Sequence, residues 1–226
     1  MAERLVLICD FDGTITERDI TITLVEKFGA EGWRDTLDRI MKQEISLKQG
    51  LGSLIRSLPA GKREEMAAFI QEAAAIRPGF PEFLTYCREQ GLELNIVSNG
   101  VDFYIDPLLA PYDIDCPIHY NRGDFSGERI DVIWPRPCDE HCDNDCGMCK
   151  PSVLRQERGD GAYVVVIGDS VPDLAAAKLA DFVIARSFLL EKCNELGLQH
   201  APFATFYDVI AVLDEIGKGK QEEVLT

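Results

Sequence analysis

Residues 5–16 read LVLICDFDGTIT. Five apolar residues run without interruption into two carboxylates, Asp10 and Asp12, set on either side of Phe11. A short apolar run bounded by a turn signal is the pattern of a strand buried on both faces. Residues i and i+2 of an extended chain share a face, so Asp10 and Asp12 can converge on one point. Close carboxylates repel unless a cation or a shared proton lies between them. Mg²⁺ suits such a pair, because it takes few carboxylates and keeps its waters. Gly13 permits a sharp turn, and Thr14 and Thr16 add hydroxyls. An acidic turn after a strand, with Asp12-Gly13 as the turn pair, is the plainer alternative.

Further apolar runs lie at 92–97 (LELNIV), 162–167 (AYVVVI) and 181–185 (DFVIA), each flanked by helical patterns. This alternation predicts an α/β fold: a doubly wound parallel sheet covered on both faces, with its site at the carboxyl ends of the strands. Asp10, Ser98 and Asp169 stand at such ends. Residues 17–78 hold no strand-like run, and four segments there carry apolar residues at helical spacing. They predict an inserted helical cap domain that can cover the site. The core domain is then 1–16 and 79–226. Within it, about 117–150 forms an insertion made of a hairpin around GDFSG and a cysteine-rich loop. The polar tail GKGKQEEVLT is expected to fray.

The 226 residues suffice for one large domain, or a core with a smaller insert. A net charge of −16 with no basic stripe argues against nucleic acid and anionic membrane surfaces. It leaves room for a small phosphorylated metabolite, because a metal ion can invert the local field. No apolar run is long enough for a bilayer, and the N-terminus lacks a signal-peptide pattern. A cytoplasmic protein is therefore expected. Oligomeric state is not readable from the sequence.

Three more clusters bear on chemistry. Ser98, Asn99 and Gly100 in IVSNG sit at a strand end before the helical VDFYIDPLL, an arrangement able to hold phosphate oxygens. A helix N-cap by Ser98 or Asn99 is the alternative. In VIGDSVPDLAAAK, Asp169 ends a strand and Asp173 follows one helical turn later, so both can face one site. Acids at a helix start also complement the helix dipole. Lys150, in CKPSV, falls at a helix start marked by Pro151 and Ser152. A cation is disfavoured there, which hints at an anionic partner; a solvated lysine is the alternative.

DxDGT, a hydroxyl at a strand end, a lysine and GDxxxD occur in that order. The chain resembles the haloacid dehalogenase superfamily of phosphohydrolases. The resemblance implies a doubly wound core with a mobile cap of the phosphoserine phosphatase-like type. It also implies that Asp10 attacks phosphorus to form an aspartyl phosphate, and that Asp12 protonates the leaving alkoxide and then activates water. Mg²⁺ would be held by Asp10, the backbone carbonyl of Asp12, and Asp169. Ser98 and Lys150 would hold the phosphoryl oxygens, and Asp173 would orient Lys150 or a water on the ion. Phe11 would point into the core. DFDGTIT, SNGVDFYIDPLL, CGMCKPSV and GDSVPDLAAAKLAD further resemble the enol-phosphate phosphatase branch of methionine salvage. Asn99 departs from the glycine expected in the second motif, which leaves it open between phosphate contact and capping.

A phosphoserine- or phosphocholine-type phosphatase is a competing reading within the family. A phospho-acceptor signalling domain is one outside it, but the helical insert and GDxxxD have no place there. A non-catalytic binding module is the third, and the complete set of acids opposes it. Glu17, Arg18, Asp19 and Arg56 are cap candidates by position or charge only. Of eight cysteines, Cys9, Cys87, Cys116 and Cys193 are scattered and read as buried thiols. Cys138, Cys142, Cys146 and Cys149 crowd into CDEHCDNDCGMC. Their spacing leaves a structural Zn²⁺ site, two disulfides, or four free thiols, and His141 can replace one thiolate. A reducing cytosol opposes the disulfides.

Overall fold

The computed structural model describes residues 4–159 and 161–224. The apolar run of the opening motif forms β1 (Leu5–Cys9). It lies parallel between β2 (Glu93–Val101) and β5 (Tyr163–Gly168). Alternate residues serve opposite faces, as the strand repeat of two demands. Leu7 and Cys9 join Phe11 in one core cluster, while Val6 and Ile8 join the other. The sheet continues through β3 (Ile118–Asp124) to β4 (Asp131–Ile133) on one side. On the other side lie β6 (Phe182–Ala185) and β7 (His200–Pro202). The order is β4-β3-β2-β1-β5-β6-β7, with only edge strand β4 antiparallel. One face packs against α5 (Phe80–Gln90), α6 (Asp102–Leu109) and α10 (Phe206–Val224). The other packs against α7 (Lys150–Arg158), α8 (Val171–Ala177) and α9 (Ser187–Leu196). The fold is the doubly wound α/β sheet expected. Among the described residues, no helix is long and apolar enough to cross a membrane.

Between β1 and α5 come α1 (Ile20–Phe28), α2 (Trp33–Met41), α3 (Leu47–Arg56) and α4 (Arg63–Ala73). The chain leaves and re-enters the sheet side by side, through an antiparallel bridge between Thr16 and Ile76. Glu17 N donates to Ala75 O at 2.9 Å and Arg77 N to Ile15 O at 2.8 Å.

Five details differ from expectation. The strand read as 92–97 runs on to Val101, so Ser98, Asn99 and Gly100 lie within it. Helix α6 starts at Asp102, and neither Ser98 nor Asn99 caps it. The segment read as one arm of a hairpin, β3, also extends the main sheet, pairing Ile96 with Ile118. The three-residue β7 carries no apolar run that periodicity could detect. The tail expected to fray continues α10 as far as Val224, and residues 225–226 lie outside the described part.

Candidate active site

Asp10 follows β1 directly, its backbone N–H held by Ile167 O at 2.9 Å. Across from it, α7 begins at Lys150. The Lys150 ammonium is buried; it donates to Asp10 Oδ1 and, at 2.5 Å, to Asp173 Oδ1. That is the anionic partnership implied by a cation at a helix start. Asp173 Oδ2 in turn accepts from the backbone N–H groups of Asp169 (3.0 Å) and Ser170 (3.1 Å). Asp173 thus caps α8 with one oxygen and accepts from the lysine with the other. Carboxylate oxygens of Asp10, Asp169 and Asp173 lie within 4.8 Å of one another.

Three acids around one lysine leave an excess of buried negative charge. Burial pushes the Asp10 carboxyl well above its usual range, and the Asp173 charge adds to this. Burial, with the charges of Asp10 and Asp173, lifts Asp169 to about 8. Burial opposes the charge on Lys150, but Asp10 and Asp173 outweigh it and hold the lysine protonated. A divalent cation with oxygen ligands fits this donor set, because it neutralises what the lysine leaves over. Asp10 and Asp169 offer it free carboxylate oxygens. Both oxygens of Asp173 are taken by N–H donors, which leaves neither free for an ion.

Asp12 does not turn its side chain toward this cluster. The strand ends before it, and the chain turns at Gly13, where φ is +79°. A Cβ at Gly13 would stand 2.4 Å from Asp169 Oδ2, so only glycine lets the loop approach that acid. Asp12 Oδ1 accepts from Ile20 N at 3.0 Å. Its Oδ2 accepts from Ser98 Oγ at 3.0 Å and Tyr104 Oη at 3.1 Å. The expected Asp12 contribution to a metal is therefore confined to its backbone carbonyl. Burial, with the nearby Asp19 charge, raises the Asp12 carboxyl to about 7. Tyr104, fully buried, also shares a 2.9 Å hydrogen bond with Thr21 Oγ1. Sequence reasoning missed Tyr104 and Thr21. The only signal was a tyrosine and a threonine on otherwise apolar helix faces.

Ser98 is buried within reach of Asp12, and Gly100 N donates to its hydroxyl at 2.9 Å. A Cβ on Gly100 would lie 2.0 Å from Tyr104 Oη and 2.7 Å from Asp12 Oδ2. Gly100 thus serves close approach rather than phosphate contact through its own N–H. Asn99, left open between phosphate contact and capping, uses its amide group for neither. Asn99 Nδ2 donates to Cys146 O (2.8 Å) and Met148 O (3.1 Å), so both amide protons tie the strand to the cysteine loop. Asn121 Nδ2 grips Asn99 O from β3 at 2.8 Å.

Arg77 is a third residue the sequence did not reveal. It is buried, pairs with no carboxylate among the described residues, and sends four of its five N–H donors to backbone carbonyls. Nε reaches Thr14 O (2.7 Å), Nη1 reaches Ala204 O (3.1 Å), and Nη2 reaches Gly13 O (2.8 Å) and Thr16 O (3.0 Å). It braces the acidic loop from behind. Among the cap candidates, Glu17 and Arg18 are exposed. Arg56 pairs with Asp131 at 2.8 Å on the outer side of the hairpin. Asp19 caps α1 by accepting from Ile22 N.

None of the eight cysteines is in a disulfide. The ligand atoms of Cys138, Cys142, Cys146 and Cys149 lie within 4.8 Å of one another. His141 is not among them. Its ring is exposed and faces Glu140 at 3.5 Å.

A family model described as haloacid dehalogenase-like hydrolase matches residues 7–178, from β1 through α8. The chain is 51% identical, over its whole length and that of the relative, to the 2-hydroxy-3-keto-5-methylthiopentenyl-1-phosphate phosphatase of Brevibacillus brevis. It is 48% identical to the phosphatase of the same name from Geobacillus kaustophilus, over 96% of this chain and 98% of the relative. In fold it is similar to a phospho-aspartyl intermediate analogue of phosphoserine phosphatase. The TM-score is 0.63 and the identity 19%, over 85% of this chain and 91% of that one. The matched span carries Asp10, Asp12, Ser98, Lys150, Asp169 and Asp173 together, and by that match the chain belongs to the haloacid dehalogenase-like hydrolases.

Proposed function

We propose that the chain is a phosphomonoesterase that hydrolyses 2-hydroxy-3-keto-5-methylthiopentenyl-1-phosphate to 1,2-dihydroxy-3-keto-5-methylthiopentene and phosphate, a step of methionine salvage. The observation that carries the chemistry is the division of the two motif acids. Asp10 faces Lys150 and the acid cluster, while Asp12 sits apart in a pocket of hydroxyls with its carboxyl near 7. A nucleophile and an acid–base need such separate surroundings. The substrate follows from the full-length likeness to phosphatases of that name.

Asp10 attacks phosphorus through a carboxylate oxygen, and the bond to the ester oxygen breaks. Lys150, protonated and fixed by Asp173, offsets charge on the transferring group. Asp12 gives its proton to the departing oxygen, then takes one from the water that attacks the aspartyl phosphate. Its pKa suits both directions near neutral pH. Tyr104 and Ser98 hold its side chain in place. Mg²⁺ held by Asp10, Asp169 and the carbonyl of Asp12 would bring the dianionic substrate against Asp10 and polarise its phosphoryl group.

The four inserted helices serve as a cap, and the Thr16–Ile76 bridge is its hinge. A cleft of about 720 Å³ opens between the α2–α3 link and α8, with Ile40, Ile45 and Leu47 facing Val171 and Leu174. The lining also holds Gln43, Glu44, His141, Asp143 and Arg155 and none of the reacting groups, so the methylthio tail follows from the likeness to the relatives alone. The test is phosphate release with Mg²⁺ from a panel holding the enol phosphate, phosphoserine and phosphocholine. The enol phosphate is expected to give the highest kcat/KM; a higher value for phosphoserine rejects the substrate.

A further inference from the structure

The cysteine loop lies outside the reacting groups, yet it touches every part of the site that must stay in register. Cys149 directly precedes Lys150, and its carbonyl accepts from Val153 N in the first turn of α7. The carbonyls of Cys146 and Met148 hold Asn99 of β2. Asp145, at φ +50°, reaches the inserted helices: Lys48 N donates to its carbonyl at 3.1 Å and Ser46 Oγ to its carboxylate at 2.6 Å. A loop with these duties must be rigid. Its sequence, CDEHCDNDCGMC, contains one large apolar residue, Met148, and cannot be fixed by burial alone.

Four sulfurs converge at its centre. Cys142, Cys146 and Cys149 are buried and Cys138 is partly so. Tetrahedral zinc with Zn–S bonds of about 2.3 Å sets its sulfurs about 3.8 Å apart. The Cys142 and Cys146 Sγ atoms are 3.8 Å apart, far beyond a disulfide bond. Cys146 N also donates to Cys138 Sγ at 3.3 Å, a contact that steadies a thiolate. The exposed His141 ring leaves the set as four sulfurs.

We infer that Cys138, Cys142, Cys146 and Cys149 bind one structural zinc ion, and that this ion holds the loop joining Lys150, Asn99 and the inserted helices. Each thiol that binds gives its proton to solvent, and no redox step is involved. With four protein ligands the ion has no open position, so its role is structural and separate from the acid cluster.

The test starts with the whole chain, purified under reducing conditions without chelator. One zinc per chain is expected by elemental analysis, retained against a chromophoric chelator of micromolar affinity. Replacement by Co²⁺ is expected to give the intense visible bands and thiolate charge-transfer absorption of a tetrahedral tetrathiolate. Hydrogen exchange at residues 142–150 is expected to quicken on zinc removal and to slow again with Zn²⁺, but not with Mg²⁺. Cys138→Ser and Cys142→Ser are each expected to lose the metal; where a variant does not fold, the wild-type metal count and spectrum decide. No retained zinc with eight reactive thiols after denaturation overturns the site, as does no zinc with fewer than eight. Unchanged exchange on zinc removal overturns the holding role. None of these readouts uses the substrate, so they stand apart from the proposed reaction.

Discussion

The Tyr104 hydroxyl donates to Asp12 Oδ2 at 3.1 Å, although 92 residues separate the two. Thr21 shares the same hydroxyl, so a buried chain of three side chains ends on the acid that the proposed reaction needs at the leaving group.

Tyr104→Phe is expected to lower kcat for an alkyl phosphate about tenfold, the low end for a hydrogen bond to a charged group. With p-nitrophenyl phosphate the loss shrinks, because that leaving group departs without a proton. Added to Asp12→Asn, the same change should cost almost nothing more. Additive losses in the double variant would show that Tyr104 acts independently of Asp12.

Asp10→Asn is expected to fold normally and to keep less than about a hundredth of wild-type kcat, since an amide is a poor nucleophile. Mg²⁺ affinity, followed by calorimetry, should weaken as well, because the same carboxylate is the proposed ligand. Near-wild-type turnover by the folded variant would remove Asp10 from the covalent role.

Gly100→Ala places a methyl group 2.0 Å from Tyr104 Oη and 2.7 Å from Asp12 Oδ2. A loss of about a hundredfold in kcat is expected, as one of the two side chains must leave its place. Combining it with Tyr104→Phe should recover part of the loss by removing the nearer oxygen. A single variant with normal kcat would contradict the close approach.

Arg77→Met fills the space of the guanidinium but orphans the carbonyls of Thr14 and Thr16, while Gly13 O keeps Arg186 at 3.1 Å. A cost of about 3 kcal/mol is expected, and a Tm lower by roughly 6–12 °C for a chain of this size. Arg77→Lys should not restore it, because an ammonium cannot reach carbonyls on both sides. A Tm within two degrees or so of wild type would show that solvent replaces the brace.

What the sequence by itself determined was local. The apolar runs that became β1, β2, β5 and β6, the four inserted helices, and the acids at strand ends all follow from periodicity and turn chemistry within a dozen residues. Asp10, Lys150 and Asp173 were legible because strand ends and helix starts place them whatever the rest of the chain does. Tertiary structure alone decided where Asp12 points, since its acceptors are filled from α1, β2 and α6 at once. It alone made Asn99 a clamp on the cysteine loop, and Arg77 a brace under Gly13 and Thr14. The partners of these two side chains lie 47 to 127 residues away in the chain. A side chain's polarity announces that it needs a partner when buried, but only the packed fold determines which one comes within 3 Å or so.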